Sequence, residues 1–245
     1  IASLKAYPDN YFDSIVTDAP YGLGKEPNPE KLLRAWIDTG YLEVGGKGFM
    51  GKEWDAFVPQ PLFWKEVFRV LKHGGHVICF FGTRTYDWGV MAIRLAGFEI
   101  RDCIQWVYGS GFPKSHNISK AIDKMKGAER EIVGVKKQSF PKSDNSMSEN
   151  SYGISGGKLA NGTSAERISL EITAPSTDEA KHWDGWGSAL KPANEPIVLA
   201  RKPLEKGLSI AENVLKWGTG AINIDDCRIG LSQNEDARLG GNGTW

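Results

Sequence analysis

The stretch PLFWKEVFRVLKHGGHVICFFG, residues 61–82, decides the fold class. Phe63, Trp64, Val67, Phe68, Val70 and Leu71 recur at helical spacing, Pro61 suits a first helical turn and Gly74-Gly75 a stop, so an amphipathic helix is predicted over residues 61–72. His73 then falls at the helix C-terminus, where a cationic ring suits the dipole. Residues 76–81 form a near-continuous apolar strand ended by Gly82, Thr83 is placed to cap a second helix running to about Ala96, and Gly97 closes it. Residues 98–107 read as another strand. The order helix, strand, helix, strand predicts an α/β sheet with helices on both faces.

Working outward, residues 12–17 are a further strand with an apolar face, left through Gly22 and Gly24. Residues 25–59 hold no sustained period, carry Gly40, Gly45, Gly46, Gly48 and Gly51, and read as a long mobile loop with a helix over 30–37. Residues 108–194 break the α/β rhythm with a helix over 117–126, a Ser/Asn/Gly-rich tract from 138 to about 164, and a short strand around Ile168, Leu170 and Ile172. The core pattern resumes with a strand over 195–201, a helix over 209–217 capped by Ser209 and stopped by Gly218, and a last strand over 221–229. The expected division is a catalytic α/β core at 1–107, a basic and Ser/Gly-rich insertion at 108–194, core again at 195–230, and the start of a target-recognition or linker region at 231–245. A chain that begins at Ile1 and stops at Trp245 without a closing element reads as a fragment.

With 245 residues, 40% apolar and 24% charged, wholesale disorder is excluded. No run of eighteen apolar residues and no signal segment is visible, which predicts a cytoplasmic protein. Cys79, Cys103 and Cys227 are odd in number and widely spaced; Cys79 and Cys103 lie in strand-like runs and suit buried thiols, and no paired-cysteine metal spacing occurs. Thirty basic residues balance thirty acidic ones, so total charge is silent on nucleic acid. Between Lys114 and Lys142, however, eight Lys or Arg face three acids, an excess of the kind phosphate contacts need, though on charge alone a solvated helix face is an equal alternative.

The chemistry sits at the end of the first strand, where Asp18, Ala19, Pro20 and Tyr21 form an acid-proline-aromatic turn. The exocyclic amine of adenine or cytosine is a poor nucleophile because its lone pair is delocalised into the ring. Acceptors on both amine hydrogens localise that pair, and the Asp18 carboxylate with the Ala19 carbonyl supplies two. Tyr21 is placed to stack on a base flipped out of the duplex. The competing reading of these four residues alone is an ordinary turn.

This turn resembles the Asp-Pro-Pro-Tyr signature of the DNA N4/N6 amino-methyltransferases, with Ala19 in place of the first proline. Residues 48–55 (GFMGKEWD), 70–75 (VLKHGG), 109–116 (GSGFPKSH) and 186–192 (WGSALKP) are similar to a phage and bacterial subfamily, so the likeness covers nearly the whole chain. It implies a Rossmann-like methyltransferase sheet of the β class, with S-adenosylmethionine as methyl donor, double-stranded DNA as partner, and a place in restriction-modification. Adenine N6 is favoured over cytosine N4, whose enzymes more often carry serine at the Asp18 position. The alternatives are cytosine N4 methylation and a non-catalytic DNA-binding or scaffold subunit. Members of the class can pair, so a homodimer is allowed, but no residue here marks an interface.

By the same resemblance Asp18, Ala19, Pro20 and Tyr21 are the catalytic residues and Asp18 also serves the cofactor. Tyr21, Met50, Trp54 and Glu195 line the base pocket, with simple packing as the rival role for Trp54 and a capping or solvent-facing acid at a strand start as that for Glu195. From the basic excess of the insertion, and not from the resemblance, Lys114, Ser115, His116, Lys120 and Lys124 are read as contacts to DNA, with helix capping by Ser115 or Asn117 as the rival role for the segment around His116. The glycine-rich cofactor loop of the class is not found; Gly240-Gly241-Asn242-Gly243 follows the polar stretch 233–236 and not a strand. Residues 46–52 have the spacing of a phosphate-binding Gly-x4-Gly-Lys loop, but Glu53 stands where a metal-binding Ser or Thr is required, which rejects that reading.

Overall fold

A computed structural model describes residues 3–46, 51, 53–109, 115–137, 169–190 and 193–229. These residues divide into two compact units, one built from 1–105 with 196–245 and the other from 106–195.

The larger unit holds a mixed sheet of four strands among the described residues: β1 (Phe12–Asp18), β2 (Leu71–Phe80), β3 (Glu99–Val107) and β6 (Asn194–Arg201). Their order across the sheet is β1-β2-β6-β3. β1 runs parallel to β2, and β2 antiparallel to β6. One row across the sheet is Ile15, Val77, Ala200 and the next on the same face is Thr17, Cys79, Val198. The four central members of these rows are fully buried, and with Trp64, Val67, Ala92 and Ile93 they form the core. Val16, on the opposite face, is 68% exposed. This is the α/β class that the helix and strand periods predict.

Three helices supply the covering layer. α1 (Pro29–Asp38) starts at Asn28, whose side chain accepts from the Lys31 amide, and buries Leu32 and Trp36 one turn apart. α2 (Pro61–Val70) has Pro61 at its first position and buries Trp64, Val67 and Val70. α3 (Tyr86–Leu95) buries Gly89, Ala92 and Ile93. Later in the chain, α6 (Ile210–Trp217) carries a full capping box between Ser209 and Glu212 and ends at Gly218 in the left-handed region.

Several sequence expectations are corrected. α2 ends at Val70, not at residue 72, and β2 starts immediately at Leu71. Gly74 and Gly75 therefore lie inside a strand. A Cβ at Gly74 would stand 2.6 Å from Asn213 Nδ2 and 2.9 Å from the Gly220 Cα, and one at Gly75 2.8 Å from the Asp13 carbonyl oxygen, so Gly74 admits α6 with the segment after it and Gly75 admits the neighbouring β1, instead of stopping a helix. The register jumps there, Phe12 facing Leu71 and Ser14 facing His76. His73 consequently sits in β2, its Nδ1 3.2 Å from the Pro203 carbonyl. Residues 221–229 form no strand; Asn223 caps a short helix, α7 (Ile224–Cys227), with Asp225 and Asp226 in its first turn, and capping outweighs the apolar alternation. Cys79 is buried as expected but Cys103 is exposed, because β3 is an edge strand exposed from Arg101 onward.

In the second unit α4 (Ile118–Lys126) and α5 (Asp178–His182) pack together beside an antiparallel pair, β4 (Ile132–Lys137) with β5 (Ser169–Thr173). β4 carried no sequence signal strong enough to be predicted. The Asp123 carboxylate ties this unit: it accepts from the Ser176 and Thr177 amides, the Thr177 hydroxyl and Arg130 Nη1. Burial works to raise its pKa, but these hydrogen bonds prevail and hold the carboxyl well below the usual range. The Ser/Asn/Gly-rich tract lies outside the described residues.

At Gly89 a Cβ would stand 2.5 Å from Cε1 and Cζ of the fully buried Phe81 ring. Gly89→Ala gains about 1 kcal/mol of helix propensity but meets an overpacking cost of about 1–3 kcal/mol. The variant is expected to be less stable in thermal unfolding; an unchanged or raised melting temperature would contradict this packing.

Candidate functional site

β1 carries Asp18 to its C-terminal end, opposite Phe80 of β2. The alternation along the strand leaves Asp18 exposed while the next residue, Ala19, is 7% exposed and packed in the core. Asp18 enters no ion pair among the described residues. A carboxylate at the C-terminal end of a strand, uncommitted to a cation, is available to a ligand.

The turn that follows is anchored beneath and on both sides. Beneath it the Ala19 amide hydrogen-bonds to the Cys79 sulfur, a donor that a proline at position 19 would lack. Burial pushes the Cys79 thiol up to about 12, the amide contact working against this and the Asp18 charge adding to it. On one side the Thr85 hydroxyl donates to the Tyr21 carbonyl at 2.5 Å; on the other, the Gly22 amide donates to Asp55 Oδ1 at 3.1 Å. Tyr21 is half-buried, and its ring lies against Gly82, where a Cβ would stand 3.4 Å from Tyr21 Cδ2. Further along, Trp88 Nε1 donates to Glu26 Oε1 at 2.8 Å, and Trp88 packs edge-on against Trp36 of α1.

Of the other residues singled out from sequence, Trp54 is 68% exposed and Met50 lies outside the described residues. Glu195 is half-buried at the start of β6, and its charge, after burial, helps to raise the pKa of Tyr108. In the second unit Lys120 and Lys124 are exposed on α4, while Lys114 lies outside the described residues. The helix cap is Asn117, whose side chain accepts from the Lys120 amide at 2.8 Å. Ser115 and His116 are engaged with the segment 186–189: the His116 amide donates to the Ser188 hydroxyl, the Ser188 amide to the His116 carbonyl, and the Ala189 amide to the Ser115 hydroxyl. Two stretches about 70 residues apart that carried the sequence resemblance thus meet at the start of α4. Among the described residues no cluster of three metal-ligating side chains occurs, and no helix is long and apolar enough to cross a membrane.

Sequence reasoning missed Asp55 and Thr85. Asp55 adjoins Trp54 in the stretch that carried the resemblance, and nothing local marks the Gly22 amide, 33 residues away, as its partner. Thr85 reads as one more threonine before a helix, yet its hydroxyl makes no capping bond and turns to Tyr21.

The family model described as DNA methylase, for N6 and N4 methyltransferases, matches residues 12–206. The chain belongs to this DNA methylase family. It is 24% identical over 241 residues to the type II methyltransferase M.HindIII of Haemophilus influenzae, an alignment covering 91% of this chain and 62% of that protein. The chain thus spans under two thirds of the length of that curated relative. A crystal structure from Thermus thermophilus, described as a DNA modification methylase, aligns over 85% of this chain and 53% of its own at 14% identity, with a TM-score of 0.35, too low to bear on the fold.

The Cys79 thiol predicts a simple reactivity test. With a pKa near 12 and full burial, its thiolate fraction at pH 8 is about one in ten thousand. Iodoacetamide is expected to label the exposed Cys103 and Cys227 in the folded protein and Cys79 only after unfolding, read by peptide mass. Because folding raises this pKa from 9.0, its contribution to stability is complete below about pH 9 and is lost as pH rises towards 12.

Proposed function

We propose that the chain methylates DNA, transferring a methyl group from S-adenosylmethionine to the exocyclic amine of a flipped base, adenine N6 in preference to cytosine N4. The observation that carries this reading is the exposed, ion-pair-free carboxylate of Asp18 at the C-terminal end of β1, followed by the core-packed Ala19 and a turn anchored on both sides. The Asp18 carboxylate and the Ala19 carbonyl each accept one amine hydrogen, drawing the nitrogen lone pair out of ring conjugation. As the nitrogen bonds to the methyl carbon, the carbon–sulfur bond would break to leave a neutral thioether and the nitrogen would shed one proton to solvent; the positive charge it carries before that is stabilised by the adjacent carboxylate more strongly than is the neutral amine. Tyr21 stacks on the base and holds the amine in line for attack.

S-adenosylmethionine supplies the electrophilic methyl sulfonium when bound. Of the described residues we assign Asp18 to it, since an exposed negative charge suits a sulfonium cation. Double-stranded DNA is the substrate in this reading, with Lys120 and Lys124 of α4 directed to phosphates. Both are exposed, and the segment leading into their helix is braced by residues 186–189.

Incubation of the full chain with labelled S-adenosylmethionine and DNA, followed by nucleoside digestion, is expected to yield N6-methyladenine. N4-methylcytosine would reassign the base. Absence of both label and saturable calorimetric binding of S-adenosylmethionine would refute the enzyme and leave a DNA-binding scaffold. Asp18→Ala is expected to abolish transfer while changing stability by less than about 0.5 kcal/mol, as befits an exposed side chain. Replacing Lys120 and Lys124 together by Ala is expected to lower the slope of log affinity against log salt by about 2; an unchanged slope would remove them from the DNA contact.

A further inference from the structure

We propose that Asp55 and Thr85 are positioning residues for methyl transfer, acting as a clamp on the single peptide group that joins Tyr21 to Gly22. The inference rests on the function proposed above and adds to it the device that orients the catalytic turn. The Tyr21 carbonyl and the Gly22 N–H are opposite edges of one planar unit. Thr85 Oγ1 donates to its oxygen at 2.5 Å and Asp55 Oδ1 accepts from its N–H at 3.1 Å. A rotation of that plane breaks both bonds at once, so the pair sets the ψ of Tyr21 and the φ of Gly22 together.

The clamp has a reason to exist in this chain. Alanine at position 19 leaves free a backbone angle that proline would lock, so rigidity has to come from tertiary contacts. Both jaws are themselves held: Asp55 is 3% exposed and Thr85 9%. Residues 56–58, which follow Asp55, are buried, and Phe57 packs near Trp36 and Trp88. The main chain after Tyr21 lies directly on this segment. A Cβ at Gly22 would stand 2.8 Å from the Val58 nitrogen and one at Gly24 2.5 Å from the Ala56 oxygen, and Gly22 has φ +69°. Only glycine permits this approach and this φ, and the approach is what brings the Gly22 amide to Asp55. The segment 53–58 thus orients Tyr21 through the backbone of the turn.

Four variants of the full chain test the clamp. Asp55→Ala removes the acceptor and Asp55→Asn keeps an oxygen for the Gly22 amide; Thr85→Val removes the donor at constant shape and Thr85→Ser keeps it. Asp55→Ala and Thr85→Val are expected to lower kcat for methyl transfer by about 10- to 100-fold, the scale of a small misplacement at a reacting centre, with KM for DNA changed by less than about threefold. Asn and Ser are expected to recover most of the rate. The Asp55→Ala/Thr85→Val double variant is expected to be little worse than either single one, since both bonds serve one peptide plane. Hydrogen exchange at the Gly22 amide, which needs no activity, is expected to quicken in Asp55→Ala and not in Asp55→Asn. Wild-type kcat in Asp55→Ala and Thr85→Val, a loss that falls on KM alone, or unaltered Gly22 exchange in Asp55→Ala would each overturn the proposal. If wild-type protein transfers no methyl group, it is the functional reading that fails, and the clamp then stands or falls on the exchange result.

Discussion

The parallel pairing of β1 with β2 is the constraint on which the rest of the structure depends. Side chains alternate across a strand, so a slip of one residue would turn Ile15 and Thr17 out of the core and drive Ser14, Val16 and Asp18 into it. Burying an unpaired carboxylate there costs several kcal/mol by order of magnitude, and the fully buried Val77 and Cys79 beneath would lose their neighbours. Packing of the core and exposure of Asp18 are therefore one requirement, met by a single register. The bulge at Gly74 and Gly75 belongs to the same solution, since it restores the pairing from Ser14 onward.

Around that strand the polar groups are arranged to hold backbone more than to meet one another. Asp55 and Thr85 take the two edges of one peptide group after Tyr21. In the second unit Asp123 gathers two amides, a hydroxyl and a guanidinium, and every polar side-chain atom buried among the described residues finds a partner. Such carboxylates contribute less through net pair energy than through the large penalty for any arrangement that leaves them unsatisfied, and this selects one loop conformation from many.

How much was legible in the chain follows from which interactions are local. The helices α1, α2, α3, α4 and α6 were placed within a few residues, since the apolar spacing of α2 and caps such as Asn117 and Ser209 act within one or two turns. The Asp18–Tyr21 turn was legible for a similar reason, a strand and its exit being neighbours in sequence. The role given to Gly74 and Gly75 was wrong because a glycine needed for close approach, by Asn213 and Gly220 at Gly74 and by Asp13 at Gly75, looks the same as one that ends a helix. Cys103 was misjudged because an edge strand and a central strand can share an apolar composition and differ only in what lies beside them.

By itself the sequence determined the α/β class, the acid-proline-aromatic turn at the end of the first strand and the family to which the chain belongs, because each of these rests on short-range pattern. Only the tertiary structure decided that Asp18 faces solvent while Ala19 sits above Cys79, that Asp55 and Thr85 reach the same peptide group from 33 and 64 residues away, and that residues 115–117 meet 186–189. Hydrogen bonds of that span depend on a completed core to bring their partners together. No local propensity encodes them.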